Sequence, residues 1–255
     1  MGDPMRIHRA LARAGIASRR KAEELVRLGR VLVNGSVASV GQVVDPERDA
    51  ISVDGRPVRT VAHGATWIVL HKPAGVMTTR SDPQGRPTVF DLVKHRPGLT
   101  YVGRLDLLTE GVLLLTTDGD AAHVLTHPSS EVERVYEATV RGDARAAARE
   151  APRGVPLGDG VAAPTWARAE PLPDGRWTFE VGLTEGRKRE VRRMCMALGL
   201  AVDRLVRTRF GPVSLGSLPV GASRDLTPAE AGAIKRLVGD RADRKHASRK
   251  GYDGP

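Results

Sequence analysis

The chain of 255 residues contains a single cysteine, Cys195, and only 4% aromatic residues. One cysteine excludes an internal disulfide framework and a cysteine-rich zinc module. No apolar run approaches the roughly 18 residues that a membrane helix needs. The first five residues also lack the apolar core of a signal peptide. We therefore expect a cytoplasmic protein without a membrane partner.

Two nucleotide-binding motifs are missing as well. The sequence has neither a GxxxxGK[ST] phosphate loop nor a GxGxxG turn after a strand, which argues against an ATPase or a methyltransferase with a nucleotide-type cofactor. His123 and His127 have the spacing of a zinc pair on a helix, but no convincing third ligand accompanies them, and packing or helix capping is the alternative. We expect no cofactor and no metal.

Positive charge is abundant and unevenly distributed. The chain has 40 Lys and Arg against 30 Asp and Glu, a net charge of +10, and a pI near 10.4. Residues 1–60 carry 11 basic and 7 acidic side chains, residues 61–185 carry 13 and 16, and residues 186–255 carry 16 and 7. This balance predicts a polyanionic partner. The shortage of aromatic residues argues against a protein that stacks many single-stranded bases.

The first sixty residues have the pattern of a small helical and stranded unit. Apolar spacing predicts one helix that ends at Gly15 and a second, capped by Ser18, that ends at Gly29. Asn-Gly at residues 34–35 predicts a hairpin turn. The polar faces either contact RNA or are merely solvated, and the high pI favours RNA. The basic residues on these faces are Arg6, Arg9, Arg13, Arg19, Arg20, Lys21, Arg27 and Arg30.

From residue 66 onward, short strands alternate with a few helices. This mixture predicts an α+β domain. The expected strands are residues 67–70, 112–116, 136–140 and 177–183, and the expected helices are residues 120–125, 144–150 and 190–198.

Residues 103–115 (GRLDLLTEGVLLL) place a carboxylate directly before an apolar strand. By itself Asp106 has the character of a turn residue. The segment, however, resembles the GRLDxxTxG motif of RNA pseudouridine synthases, in which the aspartate is the catalytic nucleophile. Residues 5–52 likewise resemble the S4 RNA-binding domain, through RRKAEELV at 19–26 and GRVLVNG at 29–35.

Further motifs follow in the order of the RsuA/RluB/RluE/RluF family of ribosomal RNA pseudouridine synthases, which the chain resembles from about residue 5 to 228. They are HKPAGV at 71–76, SDPQGRPTV at 81–89, THP at 126–128, VERVY at 132–136, GVPL at 154–157 and EGRKREVRRM at 185–194. The chain departs from common family residues at Leu108, Thr117, Arg134, Lys188 and Glu190.

This resemblance implies an α+β architecture with two domains. We expect a small S4 RNA-binding domain of two helices and short strands at residues 1–60 and a linker at 61–66. A catalytic domain with a mixed, largely antiparallel sheet is expected at residues 67–238, followed by a basic, disordered tail at 239–255.

The resemblance also assigns roles. Asp106 is the expected nucleophile and would stay ionised, although buried beside the substrate, through pairing with Arg192. Tyr136 would offer its ring to the flipped uracil, and Arg104 would hold the phosphate of that nucleotide. The alternatives are a surface arginine at 192 and a core tyrosine at 136. Further expected RNA-binding residues are Arg134, Arg187, Lys188, Arg189, Val191 and Arg193, with Arg19, Arg20 and Lys21 in the S4 unit.

The implied reaction isomerises uridine to pseudouridine and needs no cofactor. Attack at ribose C1′ and attack at uracil C6 both stay open. Motif details resemble most closely the RluB type, which modifies 23S ribosomal RNA. The alternatives are a 16S enzyme of the RsuA type and a non-catalytic RNA-binding assembly factor. The expected partner is a 23S stem-loop or a ribosome-assembly intermediate, bound by a monomer.

Overall fold

A computed structural model describes residues 4–58 and 65–250. The chain divides into two compact units. The first contains the residues up to Trp67 together with His95–Thr100 and Leu115–Asp120. The second contains Ile68–Lys94, Tyr101–Leu114 and the chain from Ala121 onward.

The N-terminal part of the first unit joins two helices to short strands. Ser18 caps the second helix, since its hydroxyl accepts a hydrogen bond from the Lys21 amide at 3.3 Å. Asn34 and Gly35 both have positive φ, as the predicted hairpin turn requires. The elements are β1 Met5–Arg6, α1 Ile7–Arg13, α2 Arg19–Arg27, β2 Val31–Val33, β3 Ser36–Val37, β4 Val43–Val44, β5 Ile51–Val53 and β6 Arg56–Pro57.

These strands form a sheet in the order β3-β2-β5-β6, and β1 pairs with β4. One apolar face of each helix packs onto the strands, because the buried side chains recur at helical spacing. Helical members of this core are Ile7, Ala10, Leu11, Ala22, Leu25 and Val26, and they meet Val31, Val33, Val44 and Ile51. Both predicted helices and the hairpin are confirmed.

The elements from residue 67 onward build a larger sheet with helices. They are β7 Trp67–Lys72, β8 Thr100–Val102, β9 Glu110–Thr116, α3 Gly119–Thr126, β10 Arg134–Arg141, α4 Ala144–Glu150, β11 Val155–Leu157, β12 Gly160–Ala162, β13 Trp166–Pro171, β14 Trp177–Leu183, α5 Glu190–Ala197, β15 Ala201–Phe210, β16 Val213–Ser214, β17 Ser223–Asp225 and α6 Pro228–Lys250. Short 3₁₀ helices occur at Val89–Leu92, Pro128–Ser130 and Ala151–Arg153.

The large sheet has nine strands with the main order β13-β14-β10-β15-β9-β7-β17. Its β13–β14, β14–β10, β10–β15 and β7–β17 pairs are antiparallel, whereas β15 and β9 run parallel. The mixed, largely antiparallel sheet of an α+β fold is therefore confirmed. Strand β9 lies inside the sheet and its apolar residues are buried, which explains its continuous hydrophobic sequence.

The sequence analysis did not identify β13, β15 or α6. It also predicted a disordered tail from residue 239, and this prediction is wrong for residues 239–250, which continue α6. Alanine, arginine and lysine dominate this stretch, and all three favour helix. Residues 251–255 and linker residues 61–64 lie outside the described residues. Among the helices that the structure describes, none is long and apolar enough to cross a membrane.

Candidate active site

A cavity of about 960 Å³ opens in the second unit. Its wall includes the loop before β9, strand β10, the loop into α5 and strand β15, together with residues of β8 and β14, of the segment after β7 and of the end of α3. Most of the residues predicted for the site line it, namely Arg104, Asp106, Arg134, Tyr136, Arg187, Lys188, Arg189, Val191 and Arg192. Sequence segments more than eighty residues apart thus meet at one place.

The loop before β9, residues 103–109, is the part of the wall that contains Asp106. Its backbone is fixed from behind by polar side chains of the interior. Thr78 donates its hydroxyl hydrogen to the Leu105 carbonyl at 2.9 Å and accepts from the Leu105 amide at 3.4 Å. The amide of Gly75 donates to the Leu107 carbonyl at 2.8 Å.

Lys72 is a further anchor, and its side chain is fully buried. Its ammonium donates to the carbonyls of Pro73 at 2.9 Å, Leu107 at 3.3 Å and Thr109 at 2.9 Å. Burial lowers the pKa of Lys72 from 10.5 to about 8, while the negative charge of Asp106 opposes this shift. A buried cation therefore lies behind the loop that presents the carboxylate.

Asp106 itself is exposed on the cavity wall rather than buried. Its backbone carbonyl accepts a hydrogen bond from the Thr109 amide at 3.0 Å, which closes a turn. The carboxylate projects from the middle of a loop in which the carbonyls of residues 105–109 all accept hydrogen bonds. The loop is therefore rigid, and the side chain is free to meet a ligand.

Arg192 projects from α5 and binds the same loop. Its Nη2 donates to the Leu108 carbonyl at 2.8 Å. Within the described ranges, no ion pair joins Arg192 to Asp106, so the predicted direct pairing is absent from this structure. Burial lowers the pKa of Arg192, Arg189 lowers it further, and the charge of Asp106 raises it. The two charges thus interact at longer range.

Tyr136 lies half-buried on β10, at the centre of the large sheet. Its neighbours across the sheet are Val181 on β14 and Arg207 on β15. Tyr136 lines the cavity and also packs against the hydrophobic core. This position suits a flat surface for a planar ligand.

Arg134 was predicted to bind RNA, but the structure gives it an interior role. It is buried, and its Nη1 donates to the carbonyls of Thr184 at 2.9 Å and Glu185 at 3.0 Å. Its guanidinium lies 5.4 Å from the ring centre of Phe210. Arg134 therefore holds the start of the basic loop that leads into α5.

The basic residues of that loop and of the first turn of α5 divide into two groups. Arg187 binds Glu185 at 2.8 Å, and Arg193, outside the cavity lining, forms two hydrogen bonds with Asp159 at 2.7 and 2.9 Å. Lys188 and Arg189, by contrast, are exposed at the cavity. These two cations are the ones available for a polyanion.

Glu190 stabilises the same loop from its buried position at the start of α5. Its carboxylate accepts a hydrogen bond from the Arg187 amide at 3.0 Å. Burial raises the pKa of Glu190. Val191 beside it is buried and contributes apolar surface to the cavity.

In the first unit, Arg19, Arg20 and Lys21 are exposed in the first turn of α2. The first turn contains no acidic residue. Positive charge is unfavourable at a helix N-terminus, where the macrodipole is itself positive. Helix stability therefore does not explain these three residues.

Sequence reasoning missed Lys72, Thr78 and Arg207 as parts of the site. Lys72 belongs to the HKPAGV motif at 71–76, and the resemblance of this motif to the family assigns no role to the lysine. Arg207 lines the cavity from β15, a strand that was not predicted.

Comparison with known proteins now adds to this geometry. Residues 66–197 match the sequence model of the family described as RNA pseudouridylate synthase, and residues 5–51 match the S4 domain. The chain belongs to the RNA pseudouridine synthase family. It is thus a pseudouridine synthase with an N-terminal S4 domain, as the resemblance implied.

Relatives of this pseudouridine synthase match it over almost its whole length. An uncharacterized RNA pseudouridine synthase of Mycobacterium leprae is 43% identical over 92% of this chain and 94% of its own. The ribosomal large subunit pseudouridine synthase B of Shigella flexneri is 41% identical, with 91% and 83% covered. A crystal structure of a pseudouridylate synthase is 28% identical and superposes with a TM-score of 0.61, covering 90% of this chain and 99% of that one.

Proposed function

We propose that this pseudouridine synthase modifies one uridine of 23S ribosomal RNA, with Asp106 as its nucleophile. The observation that carries the proposal is the exposed carboxylate of Asp106 on a loop whose backbone is fixed by Lys72, Thr78 and Arg192. A nucleophile needs a fixed position and a free side chain. The large-subunit activity named for the Shigella flexneri relative supports 23S over 16S RNA.

The reaction breaks the C1′–N1 bond of uridine, turns the uracil and joins C5 to C1′. A hydrogen leaves C5 and N1 gains one, so atoms and electrons balance without a cofactor. The carboxylate of Asp106 forms a transient bond to the nucleotide and then leaves. Arg192 and the buried ammonium of Lys72 supply positive charge near this carboxylate.

The target uridine cannot react while it is stacked in RNA, so it must be turned out into the cavity. Tyr136 then supplies an aromatic face for the uracil. Exposed cations at the opening would bind the phosphates, chiefly Arg104, Lys188 and Arg189. The S4 domain would bind a second part of the RNA through Arg19, Arg20 and Lys21.

The test is to map pseudouridine in 16S and 23S transcripts after incubation with the wild-type enzyme and with Asp106→Asn. Asp174→Asn, in an exposed turn, serves as the matched control. We expect one new pseudouridine in 23S RNA from the wild type and the control, and none from Asp106→Asn. Modification of 16S RNA alone would show that the target lies in 16S RNA instead of 23S RNA. Modification by Asp106→Asn would show that Asp106 is not the nucleophile.

A further inference from the structure

Arg207 lies on the same face of the large sheet as Tyr136, because of an irregularity in the strand. Val135 is paired with Arg209, but the next residue, Tyr136, is paired with Arg207. The extra residue is Thr208. In a regular ladder without this irregularity, Thr208 would lie opposite Tyr136, and the Arg207 side chain would point to the other side of the sheet. A β-bulge of this kind re-aims a side chain, and here it turns Arg207 towards the cavity.

The surroundings of Arg207 leave most of its hydrogen-bonding capacity unused. The residue is only 2% exposed. Its Nε donates to the Val112 carbonyl at 2.8 Å, and its guanidinium lies 5.2 Å from the ring centre of Phe210. Its Nη2 is buried and has no protein acceptor. In the part of the chain that the structure describes, no carboxylate lies within 4.0 Å of this guanidinium.

A buried cation without a counter-charge is costly, so folding stability alone does not account for Arg207. The fold also makes special room for this part of β15. Gly111 pairs with Arg207 across the parallel strands and has a φ of +111°. A Cβ at this glycine would lie 2.2 Å from the Arg207 carbonyl oxygen and 2.6 Å from its nitrogen. The glycine that ends the GRLDLLTEG segment therefore lets β15 come close enough for Arg207 to reach the cavity wall.

We propose that Arg207 is a further catalytic residue, whose guanidinium donates hydrogen bonds to a carbonyl oxygen of the flipped uracil. This inference rests on the proposed function. When the C1′–N1 bond breaks, its electron pair stays on the uracil and spreads over N1, O2 and O4. Attack at C6 likewise places negative charge on O4. Along either route Arg207 stabilises charge that appears only during the reaction.

The base is favoured over a phosphate as the acceptor because of burial. A phosphate is charged before the reaction, and the exposed Arg104, Lys188 and Arg189 are available to bind it. Arg207 lies beside Tyr136, where the planar base would stack. Its loss should therefore reduce the rate of reaction and leave the affinity for RNA nearly unchanged.

The experiment uses the full-length enzyme and 23S transcripts labelled with tritium at C5 of uridine, because the reaction releases that hydrogen. Single-turnover tritium release gives the rate, and filter binding gives the affinity. The variants are Arg207→Met and the charge-preserving Arg207→Lys. Arg209→Met is the matched control, since Arg209 is the neighbouring arginine of β15 and pairs with Glu133 instead.

We expect Arg207→Met to slow release about 100-fold with a change in Kd below about 3-fold, and Arg207→Lys to be intermediate. Arg209→Met should stay within about 3-fold of the wild type in both the rate of tritium release and the Kd. Transcripts made with 2-thiouridine or 4-thiouridine supply a readout that a merely structural role would not move. One of them should slow the wild type about 10-fold, Arg207→Met less than about 2-fold and Arg207→Lys by an intermediate factor, because sulfur accepts hydrogen bonds weakly.

Equal rates for wild type and Arg207→Met would overturn the inference. So would equal thio effects in the wild type and Arg207→Lys, a comparison that holds even where Arg207→Met folds poorly. An equal loss of rate and affinity would instead assign Arg207 to phosphate binding. If the wild type releases no tritium from 23S RNA, the proposed function itself fails.

Discussion

Two loops meet at the cavity, the second of which continues into the first turn of α5, and they use their polar residues in opposite ways. In residues 103–109 the backbone is bound by Lys72, Thr78 and Arg192, while the Asp106 side chain is left exposed. In residues 185–193 the side chains of Arg187 and Arg193 are themselves tied to carboxylates. The first loop is held by other residues around one exposed carboxylate, whereas the second uses part of its own charge to keep its shape.

This difference separates basic residues that hold the protein structure from basic residues that are exposed and could bind RNA. Arg134, Arg187 and Arg193 look alike in sequence to Lys188 and Arg189, yet the first three hold carbonyls or carboxylates of the protein. Their removal should affect folding before RNA binding. Removal of the exposed pair should do the reverse.

Replacing Lys72 should damage the first loop most. Lys72→Met removes three hydrogen bonds to backbone carbonyls, of which, in the described part of the chain, only the Leu107 carbonyl keeps a second donor, the Gly75 amide. Each buried polar group left unsatisfied costs roughly 1–3 kcal/mol. We expect a loss of about 3 kcal/mol in the free energy of unfolding, measured by urea denaturation. Single-turnover activity under conditions where the variant is folded should fall about 100-fold, since the loop loses its anchor. Unchanged stability would show that these hydrogen bonds do not hold the loop.

The contribution of Lys72 to the free energy of unfolding should also depend on pH. Its pKa is about 8 in the folded protein against 10.5 ordinarily, so the unfolded chain holds more protons between these values. The contribution of Lys72 to the free energy of unfolding therefore rises with pH through this window. The stability deficit of Lys72→Met should grow by on the order of 2 kcal/mol between about pH 7.5 and about pH 9.5. A deficit that stays constant or shrinks would contradict the buried, charge-disfavouring site.

A milder change to the first loop is Thr78→Val, which removes a hydroxyl and keeps the shape. The hydrogen bonds of Thr78 with the Leu105 backbone are then lost. We expect a loss of about 1–2 kcal/mol in the free energy of unfolding and a fall of about 10-fold in rate. Thr79→Val is the matched control, because the Thr79 hydroxyl binds only the nearby Ser81 carbonyl. Similar effects of both changes would show that the hydrogen bonds of Thr78 do not hold the first loop.

The second loop is tested by comparing Arg193→Gln with Lys188→Gln. Arg193→Gln should lower the unfolding midpoint by a few degrees and barely alter the salt dependence of RNA binding. Lys188→Gln should leave the midpoint unchanged and reduce the slope of log K against log salt by about 0.7–0.9. Calorimetry and filter binding over a salt series measure both quantities. Equal salt slopes for the two variants would remove the division between structural and RNA-binding cations.

The sequence alone predicts the local parts of this molecule well. Helix caps, the Asn-Gly turn and the apolar run of β9 are encoded by neighbouring residues, and they form where expected. The GRLD motif also places Asp106 at the right position on a cavity wall.

What the sequence does not predict depends on distant pairing. The role of Lys72 arises from carbonyls 35 and 37 residues away. Arg193 finds Asp159 across a separation of 34 residues. Arg207 faces the cavity only because of a strand irregularity, and no local pattern signals it. Apolar periodicity describes which face is buried, but not which polar group a buried side chain will meet.

The central claim is that the fixed loop of residues 103–109 presents Asp106 as the nucleophile. The most direct measurement is single-turnover tritium release from 23S transcripts by Asp106→Asn, together with its Kd for the same RNA. We predict no detectable release and a Kd within about 3-fold of the wild type, because the exposed cations that would bind RNA are untouched. Release at a rate near that of the wild type would contradict the claim.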